Sequence, residues 1–218
     1  MSIHIVFSGL DCSGKSTQIQ ILKNNLQIKG EKNLIFWSRG GYTNGFQKLK
    51  DILRSYSGKK LPKLGNSPAR DKALSKPLIR KIWLTFAMID LFYYYAIYLR
   101  IKYFLGYNII CDRYLLDTNI DFKLTYPDEK TDKWLLWKLI DIFALKPDFH
   151  FVSTIPVKES VIRSKFKFEP FPDSSEVLVK RLDLYNENLK NNKSLIFIDG
   201  LRDKSEISKE IDNLVNKI

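Results

Sequence analysis

The sequence predicts an α/β fold: a five-stranded parallel sheet flanked by helices in three layers. Three observations carry that expectation. Short apolar runs recur at five places, helix-period patterns separate them, and the first run leads straight into a glycine-rich turn followed by a helix.

The first run, His4 to Ser8, is the expected opening strand. It continues as Gly9-Leu10-Asp11-Cys12-Ser13-Gly14-Lys15-Ser16-Thr17, which fits the phosphate-cradling pattern G-x-x-x-x-G-K-[ST] at each fixed position. Glycines at 9 and 14 let backbone N–H groups turn toward phosphate oxygens, and the helix starting near Lys15 adds the positive end of its dipole. Lys15 then faces the β and γ phosphates, and Ser16 offers a hydroxyl to magnesium. A nucleoside triphosphate is the expected ligand. Ile19, Leu22 and Leu26 continue at helical spacing until Gly30 ends the helix.

The second strand is Asn33 to Trp37. Beyond it, Lys48 to Lys81 carries much of the net charge of +12, interrupted by Pro62, Pro68 and Pro77. No nucleic-acid fold motif stands beside it, so a solvated loop and helix face is expected, with some attraction for a polyanionic substrate. Ile82 to Tyr107 is rich in aromatics, but Asp90, Arg100 and Lys102 break the apolar run. It reads as a buried central helix, shared with a second subunit in a homodimer, rather than a membrane span; peripheral membrane contact is the alternative.

The third strand, Asn108 to Cys111, ends in Asp112-Arg113-Tyr114. Strand ends converge beside the phosphate loop in a parallel sheet, which suits Asp112 to magnesium or its waters and Arg113 to transferred phosphate; a strand-terminal salt bridge is the plainer reading. The fourth strand is Phe149 to Thr154, and a short helix from Val157 to Lys165 follows. The basic and aromatic stretch after it, about 163–173, reads as a mobile cover over the donor phosphates, and a capped helix starts at Asp173 with Glu176. Ser194 to Ile198 is the fifth strand, and the last helix packs through Ile207, Ile211, Leu214 and Ile218.

At 218 residues the chain is expected to form one domain over 1–218. Two cysteines and no visible cleavable leader fit a reducing cytoplasm. Cys12 and Cys111 are both expected near the active site, as small residues that fit rather than as redox controls, and two histidines far apart give no zinc signature.

These residues resemble the thymidylate kinase family of P-loop nucleoside monophosphate kinases over nearly the whole length. The resemblance rests on Leu10-Asp11-x-x-Gly14-Lys15-Ser16-Thr17, Ser38-Arg39-Gly40-Gly41, Cys111-Asp112-Arg113-Tyr114, Lys146-Pro147-Asp148, Arg163 and Ile198-Asp199-Gly200. It implies a P-loop kinase fold, ATP with Mg2+ as donor, and a dimer packed through helices. It also implies that Asp11 binds the acceptor sugar hydroxyl, that Arg39 and Arg113 clamp the acceptor phosphate, and that Phe86 stacks on the acceptor base. Arg163, with Lys165 or Lys167, becomes the lid cation. Two departures fall on the acceptor side: Asp90 stands where the family typically has an arginine, and Asp121 with Phe122 where it usually has a tyrosine and a glutamine.

The expected reaction is transfer of the ATP γ-phosphate to a nucleoside monophosphate, thymidylate by default. Because a site built to bond one group rejects analogues lacking it, the departures leave a second reading, a related kinase acting on a modified nucleotide or sugar-linked metabolite. A third is an ATP-binding protein that engages nucleic acid or membrane, although a passive binder has no need of the set Asp11, Arg39, Asp112, Arg113 and Arg163. No Asn-Lys-x-Asp segment of a signalling GTPase is present.

Overall fold

In the computed structural model, which describes residues 2–38, 74–167 and 173–216, β1 (His4–Gly9) is the middle strand of a five-stranded sheet. The order is β2 (Asn33–Trp37), β3 (Asn108–Asp112), β1, β4 (Phe149–Thr154), β5 (Leu195–Asp199), and every pairing is parallel. Each strand lies within a residue of its expected ends. The reason is compositional: both faces of β1 are buried, so the strands read as continuous apolar runs.

Alternation along β1 assigns the layers. Ile5 and Phe7 face α1 (Lys15–Ile28) and α7 (Lys204–Val215), where Ile19, Leu22, Leu26, Ile207 and Ile211 close one core. Val6 faces the other way, with Phe36, Ile109 and Cys111, against α2 (Pro77–Phe104) and α4 (Leu135–Phe143). On that second side α3 (Leu115–Thr125) and α6 (Ser175–Asn191) cover β4 through Ile120, Val152 and Tyr185. A further helix, α5 (Val157–Lys167), follows β4.

One expectation needs correction. The apolar helix is buried along one face only. Leu84, Met88, Leu91, Tyr95 and Leu99 enter the core, while Ile82, Phe86, Ile89, Tyr93, Ile97, Ile101 and Phe104 form an exposed row on the other side. A π-helical turn at Tyr93–Tyr98 lies within it. By length and composition α2 can cross a membrane, yet its inner row is packed on the sheet. Cys111, directly before Asp112, is a small residue fitted into the core. Its side chain is fully buried in the core, with Sγ 3.4 Å from His4 Nε2, and burial pushes its thiol well up. Of the basic segment Lys48 to Lys81, residues 48–73 lie outside the described ones; Arg80 pairs with Glu129 at 2.6 Å.

Candidate active site

The phosphate loop is braced from behind and open in front. Gly9 has φ 133°, and a Cβ there would sit 1.8 Å from the Ser153 carbonyl oxygen, so no larger residue allows β1 to approach β4 this closely. Ser153 Oγ donates to the Ser13 carbonyl at 2.8 Å, and a Cβ on Gly200 would meet the same carbonyl at 2.6 Å. Gly14, at φ 93°, is different: a Cβ there meets nothing within 4 Å. That open space lies at the start of α1, whose first turn holds no acidic side chain. A bare helix N-terminus beside open space fits a phosphate group.

Lys15 is folded into the loop, donating to the carbonyls of Gly9, at 3.0 Å, and of Leu10. Burial, reinforced by the Arg113 charge, lowers its pKa to about 8. Ser16 and Thr17 are exposed at the loop mouth, and Cys12 adopts φ 61°. Asp112, at the end of β3, has its pKa raised by burial despite the charges of Lys15 and Arg113.

Arg113 turns the chain out of β3 with φ 72°, a left-handed conformation that costs a non-glycine residue about 1–3 kcal/mol. Side-chain bonds hold it there. Its guanidinium donates to Asp11, to Asp117 Oδ1 at 3.2 Å and to the Tyr185 hydroxyl at 3.4 Å. Asp117 is fully buried and is the hub: Ser8 Oγ, the Tyr185 hydroxyl at 2.6 Å and the Tyr114 N–H at 3.1 Å all donate to it. Burial alone would raise its pKa, but Arg113 and those donors hold the carboxyl below its ordinary value. Behind Ser8 stands His150, Nε2 to Oγ 2.8 Å.

A second buried arginine extends the cluster. Arg181 of α6 donates to Asp121 of α3 at 2.5 Å and to Asp173 at 3.1 Å, so it joins α3 to the residue where the described chain resumes after 167. Arg163 is bonded to Glu159 at 2.7 Å and donates to the carbonyls of Cys12, at 3.4 Å, and Gly200, at 3.2 Å. It therefore touches the phosphate loop directly. Of the expected cover, 168–172 lies outside the described residues, as does Arg39.

The structure thus brings together Asp11, Lys15, Asp112, Arg113 and Arg163, with Asp121 one residue further out through Arg181. Phe86 is 47% exposed on the outward row of α2, and Asp90 is half-buried on the same helix. Asp117, Tyr185, Arg181, Ser8 and His150 were not foreseen. Asp117 follows Arg113 at i+4, and Arg181 and Tyr185 share that spacing on α6; a polar residue at a position the periodicity marks as inward was the available signal.

No protein-family model matches the chain. Among curated proteins it is similar to the thymidylate kinase of Thermosipho melanesiensis, 26% identical over 217 residues, spanning 97% of this chain and 96% of that protein. It is also similar to a probable thymidylate kinase 2 of Saccharolobus solfataricus, 23% identical over 239 residues, 98% of this chain and 95% of that protein. Among solved structures, the deoxyadenosine kinase of M. mycoides with dCMP and dCDP superposes with a TM-score of 0.61 at 20% identity, covering 99% of this chain and 100% of that one. The thymidylate kinase of Ehrlichia chaffeensis gives 0.55 at 19%, covering 99% and 98%. The structural likenesses carry the fold; the sequence likenesses extend the motif resemblance along the whole chain.

Proposed function

We propose that this chain, a thymidylate kinase-like phosphotransferase of the P-loop nucleoside monophosphate kinase type, moves the γ-phosphate of ATP onto the phosphate of a nucleoside monophosphate, thymidylate by default. One observation carries the reading: Asp11, inside the donor loop, is paired with Arg113, at the end of the neighbouring strand. A carboxylate in that loop has no use to a triphosphate, which it repels; it suits an acceptor hydroxyl.

Arg113 is a positioned phosphate ligand in this reading. Asp117 and Tyr185 fix its guanidinium, so among the described residues an incoming acceptor phosphate competes with Asp11 for the remaining N–H groups. Asp11, once displaced, accepts from the acceptor sugar. Lys15 leaves the loop carbonyls for the β and γ oxygens, and Arg163, already on the Cys12 carbonyl, follows the transferred charge. Arg39 is proposed for the acceptor phosphate as well. Transfer of this kind depends on positioning and charge neutralisation rather than on a covalent catalyst.

Ser16, with an exposed hydroxyl, and Asp112, with a half-buried carboxylate, offer the oxygen donors that suit Mg2+, and these two residues would hold the ion or its waters. When bound it supplies charge neutralisation on the donor phosphates. Assay with ATP, Mg2+ and a panel of monophosphates tests the reaction, with thymidine diphosphate the expected product. Selective turnover of another acceptor instead supports the second reading, which Asp90 and Asp121 at the acceptor positions favour; no turnover with any acceptor defeats both.

The protein is further proposed to be a cytoplasmic, single-domain homodimer. The outward row of α2 is a continuous apolar stripe of a kind isolated soluble chains rarely expose. Sedimentation equilibrium should give a dimer, and Ile89→Glu, in the middle of that row, should give a monomer.

A further inference from the structure

A cavity of about 500 Å³ opens between α3, α4 and α6 near the starts of β4 and β5, whereas the phosphate loop lies at the strand ends. That volume falls in the range of small-molecule sites. Leu116, Ile120, Trp137 and Leu184 give it an apolar wall; the carboxamides of Asn119, Asn188 and the exposed Asn191 line it as well. Charges at the mouth cancel, Lys123 and Lys146 against Asp141 and Glu187, which disfavours a phosphorylated occupant.

His150 forms part of the wall and is only 9% exposed. Ser8 Oγ gives its single proton to Asp117, so it accepts from His150, which puts the imidazole proton on Nε2. Burial lowers the histidine pKa to about 4, so the ring is neutral and Nδ1 keeps a lone pair, bonded to no protein group among the described residues. Asn119 and Asn191 likewise spend their side chains on no protein partner among the described residues. The cavity therefore offers a buried acceptor, carboxamide edges that both donate and accept, and an apolar wall.

We infer that this cavity binds an uncharged heterocyclic base, free or as its nucleoside, through the carboxamides of Asn119 and Asn191 and Nδ1 of His150. The two helices that shape it also shape the catalytic cluster. α3 sends Asp117 to Arg113 and Asn119 to the cavity; α6 sends Tyr185 to Arg113 and Leu184 to the cavity. An occupant that changes the spacing of α3 and α6 shifts both anchors of Arg113, which couples the cavity to the acceptor side.

Calorimetric titration of the whole chain, without ATP, tests this against uracil, thymine, cytosine and adenine and their nucleosides; the two arms separate a free base from a nucleoside. At least one is expected to bind with a dissociation constant below about 1 mM, and Asn119→Leu to weaken it about tenfold, as the loss of one or two hydrogen bonds implies. Asn191→Leu, at an exposed position, should weaken the same ligand and decides the matter if Asn119→Leu does not fold. No heat from any base or nucleoside, or equal affinity in wild type and variants, overturns the inference. The readout is binding alone, so it stands or falls independently of the proposed reaction.

Discussion

The phosphate loop and the Arg113 turn meet at the same end of the sheet and are built in opposite ways. The loop is a local object: backbone amides, one lysine, and a glycine at 9 whose missing side chain lets β4 close in. The turn is assembled from afar. Its left-handed Arg113 is held by Asp11 from the loop, Asp117 from α3 and Tyr185 from α6, and Asp117 is held in turn by Ser8 from β1. A local device tolerates change elsewhere in the chain; a gathered one fails when any contributor is lost. Function should therefore be most sensitive in the loop, and stability most sensitive around the turn.

Lys15→Ala puts that contrast to its sharpest test. It should reduce phosphoryl transfer about 10³-fold or more, the scale for removing one group that stabilises developing charge, while the melting temperature holds or rises because a buried charge is lost. A large fall in melting temperature would place the lysine in the structural half instead. Asp117→Ala should do the reverse. It leaves Arg113 and Ser8 without their buried acceptor, and urea unfolding should register a loss of about 3–5 kcal/mol.

Acid provides a third probe. Burial lowers the pKa of both His4 and His150 to about 4, against 6.5 in the unfolded chain. Above pH 6.5 neither state is protonated and there is no effect; between 6.5 and 4 the unfolded chain takes up protons the fold refuses, so stability falls as pH falls. At pH 5 the loss is on the order of 2 kcal/mol per histidine, and His150→Gln should remove one histidine's share of the pH dependence in urea titrations at pH 7.5 and 5. Flat stability across that range would mean both rings are protonated in the fold. The smallest effect is expected for Tyr185→Phe. It removes one hydroxyl from Asp117 and should cost about 1 kcal/mol, with a fall in affinity for the acceptor rather than for ATP.

Most of the sheet was readable along the chain because the strands are apolar runs, continuously so in the centre, where β1, β3 and β4 are buried on nearly every residue. The loop was readable because backbone phosphate binding demands glycine and lysine at fixed short spacings. The outward row of α2 was not legible for one reason: which side of a helix faces the core follows from packing partners that a local pattern does not name. Arg113 was recognised as chemistry but not as the centre of a cage, since Tyr185 lies 72 positions away and Ser8 reaches Asp117 across 109.

By itself, then, the sequence determined the strand–loop–helix order, the parallel sheet and the glycine-and-lysine loop, because backbone geometry and short-range spacing set them. Tertiary structure alone decided that Asp11 and Asp117 share one arginine, that Arg181 ties Asp121 to Asp173, and that α2 keeps an apolar row outside the core. Buried charges must be paired wherever the fold delivers them, and the pairing partner is a property of three-dimensional proximity rather than of neighbouring residues.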